Sequence, residues 1–95
     1  MIELQRFRLA ADSDPGEFMA IDRRVQTEIA YHQVGLLRRT TARSLDGGWI
    51  VIETWRSEVD ADAAASCRAG DPLTAQFLSY IDATTLLTER FSTLD

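Results

Sequence analysis

The stretch from Leu36 to Ser57 limits the fold more than any other part of this chain. Two strand-like runs, Leu36 to Leu45 and Trp49 to Ser57, flank Asp46-Gly47-Gly48, the turn chemistry of a β-hairpin. The second run places Trp49, Val51, Glu53 and Trp55 on one side and Ile50, Ile52, Thr54 and Arg56 on the other. Large apolar groups on both sides mark a central strand that needs cover on both of its faces. The chain has 95 residues, enough for one domain spanning 1–95, and a domain of that size hides a modest fraction of its surface by itself.

The flanking segments say what supplies the cover. Ile2 to Leu9 reads as a first strand, with Ile2 and Leu4 on one face and Phe7 and Leu9 on the other. After a loop at Ala10 to Ser13, Asp14-Pro15-Gly16-Glu17 is a helix start, with Asp14 as cap and Pro15 at the first position. The spacing of Phe18, Ile21, Val25, Ile29 and His32 predicts a helix running to about Tyr31. Ser57 or Asp60 caps a second, alanine-rich helix, Val59 to Ala69, and Gly70 ends it. Asp71-Pro72 repeats the cap-plus-proline signal for a short helix through Tyr80, and Ala83 to Phe91 reads as the last strand.

The resulting order, β-α-β-β-α-α-β, predicts an α+β domain of the ferredoxin-like βαββαβ class, with a four-stranded antiparallel sheet and helices on one face. The other face, carrying Ile50 and Ile52, is left apolar and open. Such a face is an association surface, and a two-fold pairing of sheets into a dimeric α/β barrel is the expected cover, so the first expected partner is a second copy of the chain.

Charge and composition exclude several functions. A formal net charge of -5 without any basic cluster longer than a pair argues against nucleic acid as the partner. All ten basic residues are Arg, so no lysine is present for Schiff-base chemistry. No apolar run approaches the roughly 20 residues that cross a bilayer, and no membrane partner is expected. Cys67 stands alone, and the N-terminal residues lack a signal-peptide pattern, which predicts a reducing, cytoplasmic setting.

The segment Ile50-Val51-Ile52-Glu53-Thr54-Trp55-Arg56-Ser57, followed by an acidic, alanine-rich helix, resembles the apolar-Glu-x-Trp-x-Ser signature of the antibiotic biosynthesis monooxygenase domain. Gly35, opening the second strand after the long first helix, is similar to the glycine of that family at this point. The resemblance covers nearly the whole chain. It implies a dimeric α/β barrel with a cleft between helices and sheet. Some relatives oxidise quinols or polycyclic phenols with oxygen and no cofactor; others degrade haem. The haem-degrading set does not carry over, because Phe7 occupies the position of its first-strand Asn and this chain has no Asn. The histidine that many quinol-oxidising relatives place after Glu-x-Trp corresponds to Ala64.

The candidate site residues follow from chemistry and position. His32 is a candidate proton acceptor for a phenol, or else a helix-end residue bonding the last carbonyls. Tyr80 is a second candidate catalytic group. Trp55 is a candidate aromatic platform, or else sheet core. Glu53, a carboxylate among strand residues, must find a partner, for which Arg38, Arg39 or Arg8 is available. Because Arg38 and Arg39 alternate, one guanidinium is expected to enter the barrel or the helix side; Arg38, Phe7 and Gln76 join Trp55 and Glu53 as candidate substrate-binding residues. A lone His with no Cys or carboxylate cluster predicts no metal, and no cofactor is expected. Two functions follow: a cofactor-independent monooxygenase on a small aromatic or quinol-like substrate, or a non-catalytic dimeric binding module or related small-molecule isomerase of the same fold.

Overall fold

The computed structural model describes residues 1–94. β1 spans Ile2–Phe7, α1 Pro15–Glu28, β2 Leu36–Arg43, β3 Trp49–Trp55, α2 Glu58–Arg68, α3 Pro72–Ser79 and β4 Leu87–Phe91. The strands form one antiparallel sheet in the order β2-β3-β1-β4, so the hairpin lies on one side and the two chain-terminal strands on the other. This is the ferredoxin-like α+β arrangement that the element order predicts.

The helix starts are those written in the sequence. Asp14, Ser57 and Asp71 each take extended backbone, and their side chains accept hydrogen bonds from the amides of Glu17, Asp60 and Thr74. Each bond satisfies one amide that has no partner within the helix. Several element ends differ from expectation by one or two residues, and three differ for a visible local reason. α1 stops at Glu28, because Ile29 leaves helical geometry and Ala30–His32 form a tight 3-10 turn that brings the chain to Gly35. β1 ends at Phe7, with Leu9 making only an isolated bridge to Ile81. The last strand starts at Leu87, because Asp82 caps a 3-10 turn over Ala83–Thr85 by accepting from the Thr84 amide and hydroxyl.

The helices cover one face of the sheet. Phe7, Trp49 and Val51 from β1 and β3 pack against Phe18, Ile21 and Val25 of α1 and Phe77 of α3. Phe18, fully buried at the centre, stands edge-on to Trp49 with ring centroids 5.0 Å apart and to Phe7 at 5.7 Å. Burial of one such side chain stabilises by about 1.5–3 kcal/mol. A second, smaller cluster joins Trp55 to Ala61 and Ala64 of α2.

Register puts Ile2, Leu4, Ile50 and Ile52 on the opposite face, with Leu87 and Phe91 of β4 beside them. Leu87 is 53% and Phe91 48% exposed, and the four remaining residues are half-buried. No helix among the described residues is long and apolar enough to cross a membrane.

Candidate functional site

The helix-bearing face is not filled along its whole length. At one end the aromatic residues close it. At the other, α2 and α3 turn at Gly70 and Asp71, and the small residues Ala65, Ala69 and Ala75 line a cleft of about 300 Å³. Val25, Val51, Phe77 and Leu78 give it apolar walls. Glu3, Arg39, Glu53 and Arg68 give it a charged floor.

Glu53 anchors that floor. It is 3% exposed, and Arg68 reaches down from the last turn of α2 to donate one hydrogen bond to each carboxylate oxygen, both at 3.1 Å. Arg39, the register neighbour of Glu53 on β2, holds its Nε 3.6 Å from Oε2, an ion pair at longer than hydrogen-bond length. The rest of the Arg39 guanidinium is engaged elsewhere. It donates to Asp22 Oδ1 at 2.8 Å, to Thr41 Oγ1 at 3.2 Å and to Gln26 Oε1 at 3.4 Å, and Thr41 in turn donates to Asp22 at 3.0 Å. Charge thus alternates along Asp22, Arg39, Glu53 and Arg68. That alternation, with the added hydrogen bonds, is what permits charges to sit in a low-dielectric layer.

An ionised carboxylate offers about four acceptor positions, and Arg68 uses two of them. Glu53 therefore keeps capacity to accept a hydrogen bond from a hydroxyl entering the cleft. Among the described residues, Trp55 Nε1, Arg68 Nε and Thr74 Oγ1 are buried without a hydrogen-bond partner. Arg68 also stacks its guanidinium over the Trp55 ring, 5.6 Å from the centroid.

Of the residues singled out in the sequence, the cleft includes Glu53. Trp55 lies directly behind it, 2% exposed, packed against α2 and touching the cleft only through Arg68. Arg38 points to the opposite sheet face: the bulge between Leu36 and Arg38 sets the register of β2, so that Arg39 turns inward. Phe7 is in the closed aromatic core, and Tyr80 packs against its edge, 6.3 Å from Phe18. His32 is exposed on the 3-10 turn after α1, and Gln76 is exposed on α3 beside Phe77. Neither His32 nor Tyr80 lines the cleft.

Arg39 is one of the partners the sequence offers for Glu53; Asp22 and Arg68 are the residues that sequence reasoning did not assign to the site. Asp22 and Gln26 are one helical turn apart on α1, which is the signal that could have shown a polar strip beside the apolar stripe. Arg68 carried no such signal, because its contact depends on how closely an alanine-rich helix approaches the sheet. No three His, Cys, Asp or Glu side chains among the described residues are grouped to hold a metal ion.

A second concavity, larger and open to solvent, lies at the hairpin turn between Arg8, Leu45, Asp46 and Trp49. Its polar groups serve the turn. Asp46 accepts from the Ser44 hydroxyl, the Gly48 amide and Arg8, and these contacts, the Ser44 bond foremost, hold its carboxyl below the usual range.

No protein-family model and no curated protein matches the sequence. Solved structures do match in shape. A point mutant of SnoaB, a cofactor-independent oxygenase from Streptomyces nogalater, superposes with a TM-score of 0.81 at 19% identity, covering 99% of this chain and 92% of that one. Rv0793 from Mycobacterium tuberculosis gives 0.72 at 16% identity, with 99% and 94% covered. A crystal structure of an antibiotic biosynthesis monooxygenase gives 0.62 at 11% identity, with 98% and 100% covered. From end to end, then, this chain has the antibiotic biosynthesis monooxygenase-like fold.

Proposed function

We propose that the chain is a cofactor-independent oxygenase acting on a small, flat hydroxyarene of the quinol or anthrol type, bound in the cleft between sheet and helices. The observation that carries the reading is Glu53, a buried carboxylate with unused acceptor capacity on the floor of an apolar-walled cleft. Similarity in fold to SnoaB, a cofactor-independent oxygenase, supports it.

Chemically, a phenolic or enolic hydroxyl donates to Glu53 while the ring lies between Val51 and the α2–α3 pair. A hydroxyl that donates to a carboxylate makes its ring more electron-rich, and the substrate itself then supplies the electrons that reduce dioxygen. For an anthrone-like ring, the CH2 carbon and O2 become a ring carbonyl and water, with one oxygen atom in each product. Arg68 and Arg39 fix the orientation of Glu53, which is the positioning part of catalysis.

A second copy of the chain completes the reading. Its sheet covers Ile2, Leu4, Ile50, Ile52, Leu87 and Phe91, six apolar side chains that share one face. Sedimentation at micromolar concentration checks this: a dimer is expected, and a stable folded monomer contradicts it.

One observation favours the non-catalytic binding module instead: His32 and Tyr80 both stand outside the cleft. Oxygen uptake decides between the two readings. With anthrone or naphthohydroquinone, the protein is expected to speed oxygen consumption, and Glu53→Gln to lower that rate by at least about tenfold. A native rate no higher than the uncatalysed one removes the oxygenase reading.

A further inference from the structure

The charges around the cleft carry a consequence for what can enter it. Both arginines on its floor are already engaged. Arg68 places one N–H on each oxygen of Glu53, and Arg39 is divided among Asp22, Thr41, Gln26 and the ion pair with Glu53. A second carboxylate, Glu3, also lines the cleft and is itself paired with Arg90 at 2.8 Å. An arriving anion therefore meets two carboxylates, while the unpartnered N–H of Arg68, at Nε, is buried out of its reach. A neutral hydroxyl meets an acceptor with room for it.

We infer that Glu53 is the specificity-determining residue of the cleft, admitting neutral hydroxyarenes that donate a hydrogen bond and rejecting carboxylated ones. The inference rests on the cleft being the ligand site. A carboxylated ligand of the same ring shape gains the same apolar contact with Val51, Phe77 and Leu78. It must then place its charge near Glu53, or pull Arg68 away and leave Glu53 buried beside Arg39 alone. Either route is costly, because like charges brought together and a buried charge stripped of its partner are both penalised. Discrimination is therefore exercised by repulsion as well as attraction.

The test is anaerobic calorimetric titration of the full chain with naphthohydroquinone and with its ring-carboxylated analogue. The neutral compound is expected to bind at least about tenfold more tightly. In a double variant, Glu53→Gln with Arg68→Gln, which removes both charges so that neither is left unpaired, the two ligands are expected to bind within about twofold of each other. Equal or tighter binding of the carboxylated compound to the native protein overturns the inference, as does a folded double variant that keeps the preference. The native comparison decides even where the variant does not fold. Selective binding without oxygen uptake upholds the inference while removing the oxygenase reading; binding of neither compound overturns both.

Discussion

The two ends of the layer between helices and sheet solve the same packing problem in opposite ways. At the closed end, Phe7, Phe18, Trp49 and Phe77 fill the space with rings set edge to face. At the open end, Glu53 and Arg39 occupy the equivalent sheet positions, met by Asp22 from α1 and Arg68 from α2, and alanines on α2 and α3 leave room above them. Aromatic packing favours one rigid arrangement at little electrostatic cost. A buried ion network contributes less net stability, because desolvation offsets much of its attraction, but it leaves directional polar groups facing a space. Under the proposed function, stability and ligand recognition are separated along a single sheet face.

The largest expected effect comes from breaking the closed end. Phe18→Ala should cost about 3–5 kcal/mol in denaturant unfolding, because the void it opens lies among rigid rings. The open end should respond less. Glu53→Gln should cost about 2–3 kcal/mol, since Arg68 keeps 20% of its side chain in water and can relax outward. A loss from Glu53→Gln that exceeds the loss from Phe18→Ala would reverse the assignment of the two ends.

Gly35 tests how α2 reaches its place over the open end. It has φ +84°, and a Cβ there would run into the Asp60 carboxyl at the start of α2. Gly35→Ala should therefore cost about 2 kcal/mol by the same unfolding assay and loosen the cleft before it affects the aromatic core. Each end also holds one tryptophan, which gives them separate signals: Trp49 in the ring cluster and Trp55 under Arg68. Ligand binding should change Trp55 emission and leave Trp49 unaffected, so the signal should survive Trp49→Phe and vanish in Trp55→Phe.

The smallest effect concerns pH at the hairpin turn, outside both ends. Because its partners hold Asp46 below its ordinary pKa in the folded chain, its contribution is fully present above about pH 4 and is lost as pH falls through the lower folded value. Exchange of the Gly48 amide should quicken only in that acid range, and Asp46→Asn should remove the pH dependence.

Much of the closed end was legible in the sequence, because it is built from periodicity. Phe18, Ile21 and Val25 recur at helical spacing, and Trp49 and Val51 alternate along a strand, so their common burial follows from local geometry. The helix caps at Asp14 and Asp71 were legible for the same reason. The open end was not, apart from Glu53. Which member of Arg38-Arg39 faces inward depends on a bulge at Leu37, and a one-residue shift exchanges the two sides of a strand. Arg68 comes to Glu53 from α2, 15 residues along the chain, and Asp22 comes to Arg39 from α1, and only tertiary packing joins them. Trp55, for which the sequence leaves both a platform and sheet core open, packs as core at the point where the core meets the cleft.

The central claim is that ligand recognition belongs to the open end, and chemical-shift mapping under anaerobic naphthohydroquinone tests it most directly. The methyl groups of Val51, Ala65, Ala69 and Ala75 should move with added compound while those of Ile81 and Leu45 stay fixed. Shifts concentrated around Arg8, Leu45 and Asp46 at the hairpin turn, or none at all, would contradict it.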